Sequence, residues 1–172
     1  MKTIDFATLS LQDALDFSIL IEDEAAERYD ELADQMEKHH TAEAAHFFRK
    51  MVGYEKTHRD DLARRRKELF GDAPQRVFSS MLWEIEAPEY DKVRAFMTAR
   101  QALLVALESE QKAHEFFVDA IPHVRDAKAH ALFEELRDEE IVHQTLVQKE
   151  LDALPPESRT DAADFADEPV AQ

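Results

Sequence analysis

Tyr54-Glu55-Lys56-Thr57-His58 and Glu139-Glu140-Ile141-Val142-His143 each contain Glu-x-x-His. On a helix, residues three apart share a face, so each pair offers a carboxylate and an imidazole to one point. Two such pairs, with one Glu from each of two further helices, make the dinuclear metal site of a carboxylate-bridged four-helix bundle. The rest of the chain is read outward from these two stretches.

The spacing alone is weak, since a chain this rich in Glu and His yields roughly one such pair by chance. Here it recurs at Glu37/His40, Glu43/His46, Glu55/His58 and Glu140/His143. Glu37/His40 falls where the first helix should end. His46 precedes Glu55 by nine residues, about half a turn away at ~100° per residue. The other two pairs lie in register with apolar seams.

Apolar residues recur every three or four positions along four segments, the helical period. The first, 9–37, has Ser10 as its expected N-cap and the seam Leu15, Ile19, Glu22, Ala26, Tyr29, Ala33, Met36. The second, 41–70, carries Phe48, Met51, Glu55, His58, Leu62 and Leu69, and stops at Gly71. The third, 98–121, opens on a Thr98/Gln101 capping box and carries Leu103, Ala106, Glu110, Ala113, Phe117 and Ile121. The fourth, 126–154, carries Leu132, Leu136, Glu140, His143, Val147 and Leu151, and ends at Pro155-Pro156. Residues 72–97 form a long connection, with a short helix expected at 77–85 and Trp83 as a packing residue. A connection this long can carry the chain back along a bundle. The basic run Arg64 to Lys67 reads as cations complementing a helix C-terminus. Residues 1–154 are read as one domain, and the acidic stretch 155–172 as a disordered tail.

The helices repeat in pairs. At an offset of 88, Glu22 aligns with Glu110 and Tyr29 with Phe117; at 85, Glu55 aligns with Glu140 and His58 with His143. The ligand candidates are therefore Glu, Glu-x-x-His, Glu, Glu-x-x-His, in a bundle with pseudo-twofold symmetry. Glu37 and Glu43 align with Pro122 and Lys128 instead. The predicted metal ligands are Glu22, Glu55, His58, Glu110, Glu140 and His143. Two divalent ions balance the four carboxylates. Without them, like charges ~4 Å apart repel by roughly 4 kcal/mol at an effective dielectric of about 20. Oxygen and imidazole donors suit Fe or Mn, and Zn also binds such sets. Tyr29 is weighed as a hydrogen-bond donor to a ligand carboxylate, with a buried Tyr capping the core as the equal reading. Glu139 is weighed as an acid orienting a ligand His, with a solvated surface acid the stronger reading. His39, His40, His46, His114, His123 and His130 read as surface or helix-end residues.

Composition narrows the function. The chain has 172 residues, 2 Gly and no Cys. That favours helix and excludes thiolate catalysis, disulfides and an iron–sulfur centre. Lys and Arg number 21 against 38 Asp and Glu, a net charge of −17, which opposes binding to nucleic acid or an anionic membrane. No signal peptide or membrane span is read, so a cytoplasmic location is expected.

ALDFSILIEDEAAERYDELADQM (14–36) and ALLVALESEQKAHEFF (102–117), with HFFRKMVGYEKTH and LFEELRDEEIVH, resemble the four helices of rubrerythrin-like members of the ferritin-like superfamily. The resemblance spans about residues 9–154. It implies an all-α antiparallel four-helix bundle, a non-haem di-iron centre on the six residues above, and homo-oligomerisation, a dimer favoured. It further implies a small oxidant, H2O2 or O2, and an oxidoreductase activity of the peroxidase or ferroxidase type. Rubrerythrins proper carry a four-cysteine rubredoxin domain that this chain lacks, so a separate electron donor is expected. They also place a second Glu three residues from the third-helix ligand, where this chain has Leu107 and Ala113 around Glu110. The set is thus closer to the symmetric site of bacterioferritin-type proteins. Lys56 stands where those proteins put a haem-ligating Met, so no haem is expected. An iron-storage subunit and a structural bundle with an inert metal site are the alternative readings.

Overall fold

In the computed structural model, residues 5–78, 85, 87–88 and 97–155 are described. Four helices dominate them: α1 (Leu11–Lys38), α2 (Ala42–Phe70), α3 (Ala99–Ala120) and α4 (Ala127–Ala153). Trp83, most of the expected 77–85 helix and the tail 156–172 lie outside the described residues.

Local chemistry sets the helix ends. Ser10 and Asp13 form a capping box, as do Thr98 and Gln101, each joining side chain and backbone reciprocally. Asp126 accepts from the Lys128 and Ala129 amides at the start of α4. At the end of α1, Thr41 N–H donates to Met36 O at 2.9 Å and His40 N–H to Glu37 O at 3.2 Å. This is a Schellman closure, with His40 in the left-handed conformation at φ 59°. His40 therefore terminates the helix, which explains why Glu37/His40 cannot act as a ligand pair. Gly71 stops α2 at φ 58°, where a side chain would be strained.

Side-chain pairs give the topology. Asp16–Arg66 and Asp23–Arg59 make α1 and α2 antiparallel. Lys50–Glu150 and Arg65–Glu135 do the same for α2 and α4. Phe117–Phe133 and Glu110–His143 do so for α3 and α4, and Phe17–Phe116 and Tyr29–Glu110 for α1 and α3. Since α2 and α3 then run in the same direction, the chain between them must travel the length of the bundle. Its track is pinned at two heights. Gln12 Nε2 donates to Pro74 O at 2.9 Å, and Arg28 Nη1 to Pro88 O at 2.5 Å. The architecture is an all-α, ferritin-like four-helix bundle with a long crossover.

Two apolar clusters fill the interior. One gathers Tyr29, Met36, Phe48, Met51, Leu103 and Val147. The other gathers Phe17, Ile21, Leu62, Phe117, Phe133 and Leu136. Each such side chain contributes roughly 2 kcal/mol by leaving water. On every helix the candidate ligands fall between the stretches assigned to the two clusters, so apolar layers enclose a polar one.

Two expectations need correction. Leu69 is 54% exposed and does not continue the α2 seam. In that last stretch Arg66 turns inward instead: its Nε bonds the buried Asp16 at 2.7 Å, and its Nη atoms donate to Gly71 O and Ala73 O. The basic run is thus not simply a dipole-facing set. Arg65 pairs with Glu135, and Arg64 with Asp61. A short 3-10 turn at Phe6–Thr8 also precedes α1, and Phe6 packs against Phe17, Phe116 and Phe133. Arg66→Met would leave the Asp16 carboxylate buried without its cation. We expect a loss of about 3 kcal/mol of unfolding free energy by urea titration; a change under about 1 kcal/mol would show that the pair is dispensable.

Candidate metal centre

Five of the six predicted ligands are buried. Glu55 and Glu110 are fully enclosed, and Glu22, Glu140 and His143 lie below a tenth exposed. Each occupies the seam position that the helical period assigns it, with Ala25, Ala106 and Ala113 as small neighbours that let the helices approach. Four buried acids on four helices are expensive without compensating cations.

Among the described residues, Glu55, Glu110 and His143 each offer a donor atom within 4.8 Å of the others. His143 Nδ1 stands 3.1 Å from Glu110 Oε2 and 3.9 Å from Glu140 Oε2. Tyr29, itself fully buried, donates its hydroxyl to Glu110 Oε1 at 3.2 Å. Glu110 is therefore held through one oxygen while the other faces His143. Gln144 Nε2 donates to the Glu110 main-chain carbonyl at 3.2 Å and ties α3 to α4 at this level.

The internal repeat turns this trio into a second one. Exchanging helix pairs maps Glu110, Glu55 and His143 onto Glu22, Glu140 and His58. The two imidazole rings lie 4.7 Å apart, centroid to centroid, close enough to serve neighbouring ions. Yet the halves differ. The His58 side chain is 26% exposed against 8% for His143. Its Nδ1 lies 3.7 Å from Glu139 Oε2, a partly exposed acid. Burial, then the neighbouring His143, lowers the His58 pKa, which favours the neutral ring a metal requires. Glu139 is partly exposed; burial and the nearby Glu135 carboxylate raise its pKa. With its side chain 42% exposed, it keeps much of the solvated character that the sequence favoured while standing beside His58.

The donor set fits metal. It contains only oxygen and imidazole nitrogen, lies inside the bundle, and brings three donors to one point. The other histidines stay out: His46, His40 and His123 are exposed, and His130 pairs with Glu134 on its own helix. Sequence reasoning missed Gln144. A polar residue directly after His143, on the flank facing α3, was the available signal for Gln144.

A family model described as Rubrerythrin matches residues 13–151. The crystal structure of an uncharacterized conserved protein from Magnetospirillum magnetotacticum MS-1 is similar at 30% identity, covering 88% of this chain and 99% of that chain, with a TM-score of 0.65. No curated protein matches. No described helix is long and apolar enough to cross a membrane.

Proposed function

We propose, from the premise that this chain belongs to the rubrerythrin family, that it is a non-haem di-iron protein coupling Fe(II) oxidation to reduction of peroxide or O2. The observation that carries this reading is the buried convergence of Glu55, Glu110 and His143 on one point. Glu22, Glu140 and His58 complete the ligand set as the repeat-related half. Two Fe ions bound there would supply the electrons for reducing an oxidant.

The chain's own residues do the rest. His143 Nδ1, 3.1 Å from Glu110 Oε2, would be one of the atoms to hold an ion, and that nitrogen must carry no proton to do so. Tyr29 holds Glu110 in position before the ion arrives. The apolar layers above and below exclude bulk water, which strengthens every charge interaction within.

Stopped-flow absorbance of the Fe(II)-loaded protein mixed with O2 or H2O2 tests this reading. We expect a ferric band that grows with turnover; its absence with both oxidants would sink the redox function. Tyr29→Phe tests the anchor. It should keep the metal stoichiometry while weakening one of the two ions about tenfold. Equal affinities for wild type and variant, measured by competition with a chelator, would remove Tyr29 from the centre.

A further inference from the structure

The outer side of α4 carries a stripe whose charge reverses along its length. Glu135, Glu139, Val142, Leu146 and Lys149 recur at steps of four and three residues, so they share one side of the helix. Glu135 and Glu139 border a cavity between α2 and α4 beside His58, and Leu146 and Lys149 border a second one toward the other end. The stripe therefore lies on the α2 side, and α2 repeats its gradient. At the first cavity Asp61, Glu68, Glu135 and Glu139 outnumber Arg64 and Arg65. At the second, Lys50 and Lys149 outnumber Glu150. Between the two ends the stripe is apolar. Val142 is 56% exposed, the most of any larger apolar side chain among the described residues, and Leu146 is 40% exposed.

Two of these charges are left over. Lys50 pairs with Glu150, Arg65 with Glu135 and Arg64 with Asp61. Among the described residues, Lys149 and Glu139 pair with no opposite fixed charge; Glu139 has the His58 ring nitrogen at 3.7 Å.

A face with acid at one end, base at the other and an apolar middle is complementary to its own reverse. Consider a second copy turned end for end about a twofold axis that crosses α4 at position 144. Val142 then meets Leu146, each two residues from the axis. Lys149 meets Glu139, each five residues away, about 7.5 Å along a helix that rises 1.5 Å per residue. The twofold makes every such contact twice. A parallel arrangement would set Glu139 on Glu139 and Lys149 on Lys149, and like charges exclude it. At a net charge of −17 the copies repel at long range, so pairing needs local matching of this kind.

We infer that two copies of the chain pair antiparallel through this α2–α4 face, each supplying Lys149 to the Glu139 carboxylate beside the other's His58. The mouth next to His58 thereby gains a cation that the single chain does not place there. The inference goes beyond the di-iron reading, which stands whether or not the copies pair.

Size-exclusion chromatography with light scattering, on the full chain, is the test. Wild type is expected to run as a pair. Leu146→Glu puts a charge in the middle of the face and should run as a single chain, with pairing weakened roughly a hundredfold. Leu146 is exposed, so the circular dichroism of this variant should match wild type. Charge reversal tests the register. Lys149→Glu and Glu139→Lys should each weaken pairing roughly tenfold. An equimolar mixture of those two variants should pair again, because each brings the charge that the other lacks. Should Leu146→Glu not fold, the mixing experiment decides alone. A wild type that runs as a single chain would overturn the inference. So would an assembly whose size Leu146→Glu leaves unchanged, or charge variants that do not recover on mixing.

Discussion

Glu110→Gln protein is expected to bind about one metal ion fewer per chain than wild type and, stripped of metal, to be the more stable of the two. The two effects have one cause. Glu110 is fully buried, its Oε2 lies 3.1 Å from His143 Nδ1, and it shares its donor cluster with Glu55. The amide keeps the shape and can still accept from Tyr29, so packing is preserved. What disappears is a negative charge. Removing it relieves repulsion of roughly 4 kcal/mol per close carboxylate neighbour at an effective dielectric of about 20. It also removes the oxygen that would bind the ion on the His143 side. Elemental analysis reads the first effect, and urea unfolding of the chelator-treated proteins reads the second. A residue serving only the core would behave in the opposite way, with stability falling and metal content unmoved. Glu110→Ala adds a control. It should lose the same ion, and it also strips the Tyr29 hydroxyl of its acceptor, which costs about 1–3 kcal/mol.

Metal loading should raise the thermal midpoint by roughly 15 °C or more. A ligand that binds only the folded state at about a thousand times its Kd contributes about 4 kcal/mol per site. Two ions therefore contribute about 8 kcal/mol, and a chain of this size shifts by about 2–4 °C per kcal/mol. Neutralising buried acids is what makes the stabilisation large. Calorimetry of metal-free and loaded protein reads it directly. A shift under about 3 °C would mean that the ions sit at the surface, where neither desolvation nor repulsion is at stake.

The helices and the inward positions of the candidate ligands were legible because both follow one period. Glu22 and Glu110 stand out as the charged members of apolar seams, and burial of both bears out that reading. The capping boxes at Ser10 and Thr98 were legible for the same reason, since their signals are local. What the sequence concealed depends on pairing across the bundle. Tyr29 was read as a donor to one of the candidate carboxylates, but which one could not be read from its own helix: its hydroxyl reaches Glu110 on α3. The repeat makes His58 and His143 equivalent, whereas the structure leaves one partly open beside Glu139 and encloses the other. No pattern within one helix distinguishes them, because their exposure depends on what the neighbouring helix offers at that height. Arg66 was hidden in a basic run, and only its partner Asp16, fifty residues earlier, marks it as inward. Leu69 shows the converse: apolar character in register does not bury a side chain when a neighbouring residue takes the inward position.

Anomalous X-ray scattering at the iron edge, on crystals loaded anaerobically with Fe(II), tests the central claim most directly. Two peaks are expected inside the bundle, one among Glu55, Glu110 and His143 and the other among Glu22, Glu140 and His58. A single peak, or peaks lying outside the layer between the two apolar clusters, would contradict it.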